Sequence, residues 1–321
     1  MTRLALRSTL LALALALPAL AAHAASKEDE SHRFGVIGHS FNRGGEKQLR
    51  QALDDSSEKS LSFVVVTGIK GDKEGCTDKL YEERRDLINE AKRPMIVAPA
   101  GSDWTGCKNS AGKLNPIERL NRIRELFFGD PYSLGQKKLA LTRLSMSPRF
   151  RSYAENSHWE IGKVLYATVN LPANNNHYLA EAGRNNEFED RLVANRFWLH
   201  RLFSLARTDK VDAIVLFSEG DTKALSEPTG LRALLRRDVA GRDGFAETRR
   251  QILTLAQKFK GKVLLIDSTT HAKATPAIEW HGNLGHMSVE NGAIEVAVRP
   301  GAKQLFTLQD PANDPAKSPE K

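Results

Sequence analysis

Five runs of nearly unbroken apolar sequence, each closing on glycine, serine or histidine, constrain this chain more than any other feature. They read RFGVIGH, LSFVVVTG, MIVAPAG, VDAIVLFSEG and KVLLIDS. A strand with one wet face alternates apolar and polar residues, whereas a strand that is apolar throughout has both faces covered. Amphipathic segments fall between and around these runs. GEKQLRQALDDSS carries Leu49 and Leu53 at helical spacing, and TDKLYEERRDLINEA follows the second run. A helix start is expected at Asn115, with Pro116 in the first turn and Glu118 completing a capping-box-like pattern; Ile117, Leu120, Ile123 and Phe127 are its expected core face. HWEIGKVLYATVNLP predicts a hairpin. The long helix after it, FEDRLVANRFWLHRLFSLARTDK, has a stripe of Phe188, Leu192, Leu199, Leu202 and Phe203. FAETRRQILTLAQKFKG reads as a helix stopped by Gly261, and SVENGAIEVAVRPGAKQLFTLQD as period-two strands around an Asn-Gly turn. The pattern is α/β, a parallel core with added hairpins and no internal repeat.

The first residues, MTRLALRSTLLALALALPALAAHAAS, have a basic start at Arg3 and Arg7, a short apolar stretch interrupted by Pro18, and a small-x-small site at Ala22-His23-Ala24. This is the pattern of a secretory signal peptide; the stretch is too short for a membrane span. The expected organisation is a signal peptide over residues 1–24, one domain over 25–309 and a polar, proline-bearing, disordered tail over 310–321. The expected location is periplasmic or secreted, with no membrane span after cleavage. Removing Arg3 and Arg7 lowers the formal charge from +8 to +6. Acids accompany the basic residues along the helices, and no basic run has interleaved aromatics, which argues against nucleic acid and leaves an acidic or phosphorylated ligand as the expected partner. Cys76 and Cys107 are the two cysteines of the chain. In an oxidising compartment such a pair predicts a disulfide, and closing a loop of this size adds about 3 kcal/mol in the chain-entropy model. No CxxC or nearby histidine cluster supports a metal reading of either cysteine.

The ends of four strand-like runs repeat one arrangement of glycine and polar residues: VIGHS, VVTGIKG, APAGSDW and IDSTTHA. With CTDKLY, DWTGC and PIERL in that order, the chain from about Arg33 to Phe306 resembles the calcineurin-like metallophosphoesterases, a secreted branch in particular. The resemblance implies a four-layer αββα sandwich of two mixed β-sheets flanked by helices, and it implies that Cys76 pairs with Cys107. Members of the family hold two divalent cations at these strand ends, where a bridging carboxylate, further oxygen and imidazole ligands and a water assemble the hydrolytic centre.

This sequence departs from that ligand pattern at nearly every position. His39 stands in place of the first aspartate and Ile69 in place of the bridging one. Ser102 replaces asparagine, Asp103 follows it, and Ser268-Thr269 precedes His271 where Gly-Asp is usual. His39, Asp103 and His271 are the vestigial metal candidates. No cofactor is expected, the alternative being a single zinc, manganese or iron ion on those three residues. The implied function is therefore a metallophosphoesterase-like protein with a degraded di-metal site, acting by binding; the alternative is a phosphoric ester hydrolase with a mononuclear site. Other polar positions carry weaker expectations. Asp72 is expected in solvent, Asp221 as a turn cap, and Asn174, Asn175 and Asn176 as a polar loop. His281 and His286 lie five apart in WHGNLGH, with Trp280 expected to pack. A Gly-x-Ser-x-Gly elbow, a P-loop and a dinucleotide fingerprint are all absent from the sequence.

Overall fold

The computed structural model describes residues 30–39, 45–57, 59–71, 73–181, 183, 185–226, 243–268, 276–290 and 292–308. The signal-like segment 1–24, the tail 310–321, Asp72 and the candidate ligand His271 lie outside the described residues.

The apolar runs form strands with both faces buried. β1 (His32–Ile37), β2 (Phe63–Thr67) and β3 (Met95–Ala98) run parallel in one sheet, and β11 (Ala293–Val298) and β12 (Phe306–Leu308) add antiparallel to its other edge. The order is β12-β11-β1-β2-β3. The second sheet contains β4 (Thr142–Arg143), β5 (Ser157–Ile161), β6 (Val164–Thr168), β7 (Ala213–Phe217), β8 (Lys262–Asp267), β9 (Glu279–His281) and β10 (Leu284–Ser288). Its order is β4-β5-β6-β7-β8-β10-β9, with β6, β7, β8 and β10 parallel. The expected hairpin is β5–β6, joined at Gly162.

Alternate residues of each parallel strand enter different cores. Phe63 and Val65 meet Phe34, Trp159, Tyr166 and Phe217 between the two sheets. Val64 and Val66 instead face the helical layer made by α1 (Glu46–Ser57), α2 (Asp78–Asn89) and α3 (Pro116–Phe128), through Leu49, Leu53, Ile88 and Leu120. On the second sheet Leu165, Ile214 and Leu216 face α4 (Asn186–Thr208) and α5 (Ala246–Gln257), through Trp198, Leu202, Ile252 and Leu255. The molecule is thus an α/β sandwich: two mixed sheets share one core, and helices bury a separate core on each outer face.

Several local expectations need correction. Asn115 makes no capping bond to the backbone of α3; its amide donates to Glu118 Oε2 at 2.9 Å. Ile117, in the first turn of α3 and three residues before Leu120, is 53% exposed, so the buried face of the helix begins only at Leu120. α5 ends at Gln257, one turn before Gly261. Phe188 and Leu192 are half-buried, and the inward face of α4 includes Arg191, Asn195 and Trp198 as well.

Candidate functional site

The carboxyl ends of the parallel strands from both sheets open at one end of the sandwich, and contacts there join one sheet to the other. The amide of His39, just past β1, donates to Ser268 Oγ beyond β8 at 2.5 Å, and Ser268 Oγ donates to the Val289 carbonyl at 3.0 Å. Glu219, two residues past β7, accepts from the Gly101 amide at 2.6 Å and the Ala173 amide at 2.8 Å. Its other oxygen faces His39 Nδ1 at 3.4 Å. The opposite ring nitrogen, Nε2, lies 3.0 Å from the Lys70 carbonyl and 3.2 Å from Ser102 Oγ. A neutral imidazole carries one N–H and one lone pair. With a carboxylate on one side and a carbonyl on the other, both nitrogens need protons, so the geometry favours the imidazolium. Burial works against that charge, yet the Glu219 hydrogen bond and the Asp103 and Glu219 charges outweigh it and raise the His39 pKa. The ring also explains Gly68: with φ at +76°, an added Cβ would lie 2.4 Å from His39 Cδ2.

Asp103 is fully buried at the end of a single 3-10 turn, Gly101–Asp103, after β3. Its Oδ1 accepts from the Ile69 and Lys70 amides at 3.1 and 3.3 Å, and its Oδ2 from the Ala100 amide at 2.7 Å. Desolvation raises its pKa to about 6; the His39 charge and the amide hydrogen bonds oppose that rise. It is therefore ionised at neutral pH and clamps the loop after β2 to the loop after β3. Two further supports hold this loop. The Tyr81 hydroxyl of α2 donates to the Asp103 carbonyl at 2.6 Å, and Cys76 is disulfide-bonded to Cys107 across 31 residues with Cα atoms 5.8 Å apart. The chain between β2 and β3 is anchored in turn by Thr77, which caps α2 by accepting from the Leu80 amide at 3.2 Å.

The polar loop expected at Asn174–Asn176 walls the same end. Asn175, Asn176 and His177 have φ values of 54°, 53° and 51°, a left-handed turn that ordinary side chains resist. Arg191, fully buried on α4, holds it by donating to the Asn176 carbonyl at 2.9 Å and to Glu187. Burial alone would raise the Glu187 pKa; the hydrogen bond from His177 and the Arg191 charge outweigh it and hold it at about 2. His177 stands edge-on to the buried Trp104, with ring centres 4.8 Å apart.

The structure thus brings together two of the predicted candidates, His39 and Asp103, and supplies each with protein partners. Glu219 and Lys70, which complete the cluster, were not singled out from sequence; Glu219 was detectable only as one more polar residue closely following an apolar strand. Ile69 packs fully buried in the core under the helices of the first sheet, not among the polar groups. His281 and His286 are separated by their hairpin. His281 is exposed on β9, while His286 on β10 meets Asp267 Nε2-to-carboxylate and has Asp221 Oδ1 at 3.6 Å. Asp221 also accepts from the Lys223 amide at 2.6 Å, the expected turn contact. Trp280 packs on the inter-sheet core and over Gly285, where an added Cβ would lie 2.8 Å from the indole.

A pair of cations bridged by a carboxylate needs ligand atoms with free lone pairs. At these strand ends Ile69, which the resemblance would place at the bridging position, is buried in the core, Asp103 accepts three amides, Glu219 accepts two, and both His39 nitrogens face acceptors. Among the described residues, those at these strand ends do not fit a two-metal centre. No protein-family model matches the sequence, and no curated protein matches it.

Proposed function

We propose that this chain is a secreted, periplasmic protein of the calcineurin-like phosphoesterase type that acts by binding and not by hydrolysis. The observation that carries this reading is His39, held between the Glu219 carboxylate and the Lys70 carbonyl where the resemblance would place a metal ligand. An imidazolium–carboxylate pair there supplies the charge balance that cations supply in a hydrolytic site, and it leaves no Lewis acid to activate water. The disulfide suits an oxidising compartment. Among the described residues no helix is long and apolar enough to cross a membrane. The ligand class is acidic or phosphorylated, in keeping with the positive net charge.

The test is turnover of a generic aryl phosphate by the purified protein with zinc, manganese or iron added. The expected rate is that of buffer with the same metal. Robust metal-dependent hydrolysis that disappears in His39→Ala would overturn the binding reading in favour of a phosphoesterase with a mononuclear centre.

A further inference from the structure

We propose that Asp221, Asp267 and His286 form a binding site for one divalent transition-metal cation on the helix-covered face of the second sheet. A carboxylate oxygen from each aspartate and one nitrogen of His286 lie within 4.8 Å of one another. His286 Nε2 and Asp221 Oδ1 lie 3.6 Å apart, close to the roughly 3.4 Å edge of a tetrahedron with metal–ligand bonds of about 2.1 Å, whereas His286 Nε2 and Asp267 Oδ2 are directly hydrogen-bonded and must part to admit the ion. One imidazole and two carboxylates make a donor set that suits zinc or manganese and leaves a fourth position for water.

The ligands are held by rigid parts of the fold. Asp267 ends β8, and His286 lies on the adjacent parallel strand β10, opposite Leu265. Ser288 Oγ donates to Asp267 Oδ1 at 2.6 Å, which fixes that carboxylate and leaves Oδ2 toward the histidine. The Lys223 amide orients Asp221 by donating at 2.6 Å to Oδ1, the same oxygen that faces His286. Glu279, paired across the β9–β10 hairpin with His286, adds a further negative charge nearby.

A second observation points to the same place. Thr222 is 5% exposed, and its Oγ1 has no hydrogen-bond partner. It borders, with Asp267, Ser218 and Gly220, a cavity with room for about one water. The rest of the lining is mostly apolar, including Leu171, Leu216 and Ile252, so the Thr222 hydroxyl finds a partner there only in a water beside Asp267. A water in the open position of a metal bound by Asp267 would be such a partner. Asp221 and His286 keep 25% and 21% of their side chains exposed, so an ion has a route in.

These residues are separate from the His39 cluster, and the test separates the two sites. The full-length protein is stripped with a chelator, dialysed and titrated with zinc chloride. The expected result is one zinc per chain. Asp221→Asn, at the more exposed ligand, should weaken binding at least tenfold, as should Ser288→Ala, and His286→Ala should abolish it. His39→Gln should leave the stoichiometry unchanged. With cobalt in place of zinc, visible absorption bands should appear in the unmodified protein and be lost in His286→Ala. No zinc uptake would overturn the proposal, leaving an imidazolium between two carboxylates. So would uptake that Asp221→Asn and His286→Ala leave untouched, because the ion would then sit elsewhere.

Discussion

His39 concentrates the physics of this molecule in one ring. Its raised pKa means that folding favours the imidazolium, so the stabilisation it contributes is complete below the ordinary histidine value of 6.5 and is lost as pH rises through the higher folded-state value. The melting temperature of the unmodified protein should therefore fall more steeply as pH rises above 6.5 than that of His39→Gln. His286, also raised, is present in both proteins and cancels. Equal slopes in the two thermal-unfolding series would contradict the imidazolium assignment. Asp103 has the same sign in a lower window. Its pKa is raised from 3.8 to about 6, so the unfolded chain loses the proton first and stability declines as pH rises from about 4 to 6. Asp103→Asn should remove that decline.

Between residue and fold, the segment from Cys76 to Cys107 behaves as a unit. It begins at the Thr77 cap, runs through α2 and β3, and is closed by the disulfide and by the Tyr81 bond to the Asp103 carbonyl. The native protein should show no free thiol before reduction. Reduction should lower stability by about 3 kcal/mol, chiefly by freeing the unfolded chain, and should lower the melting temperature accordingly. Two titratable thiols in protein prepared without reductant would refute the pairing. The helices around this segment were readable from spacing, since Leu120, Ile123 and Phe127 do line the buried face of α3. Ile117 was misread because its exposure depends on where that helix rests against α2, which no local pattern records.

Cooperativity of the whole molecule rests on the core shared by the two sheets. Phe63 stacks on Phe34 with ring centres 5.3 Å apart and stands edge-on to Tyr166 at 4.8 Å and Trp159 at 5.2 Å. Phe63→Ala should cost about 3–5 kcal/mol through lost contacts and the cavity left behind. Because both sheets line that cavity, the loss should appear as one shifted unfolding transition in calorimetry. Separate transitions for the two sheets would show that they fold independently.

The element order and the α/β class were legible in the chain because burial on both strand faces leaves a run of apolar residues, and strand and helix periods differ. The cysteine pairing was legible for a similar reason, since an even pair in an oxidising compartment has one intramolecular partner to choose. The grouping of the polar residues was not. Glu219 reaches His39 from 180 positions away, and Asp267 and His286 meet because β8 and β10 are neighbours in a sheet whose order skips β9. Local sequence specifies which face of an element is apolar. Which strand lies beside which, and so whether Ile69 enters a core while Asp103 accepts its amide, follows from pairing and packing across the whole molecule.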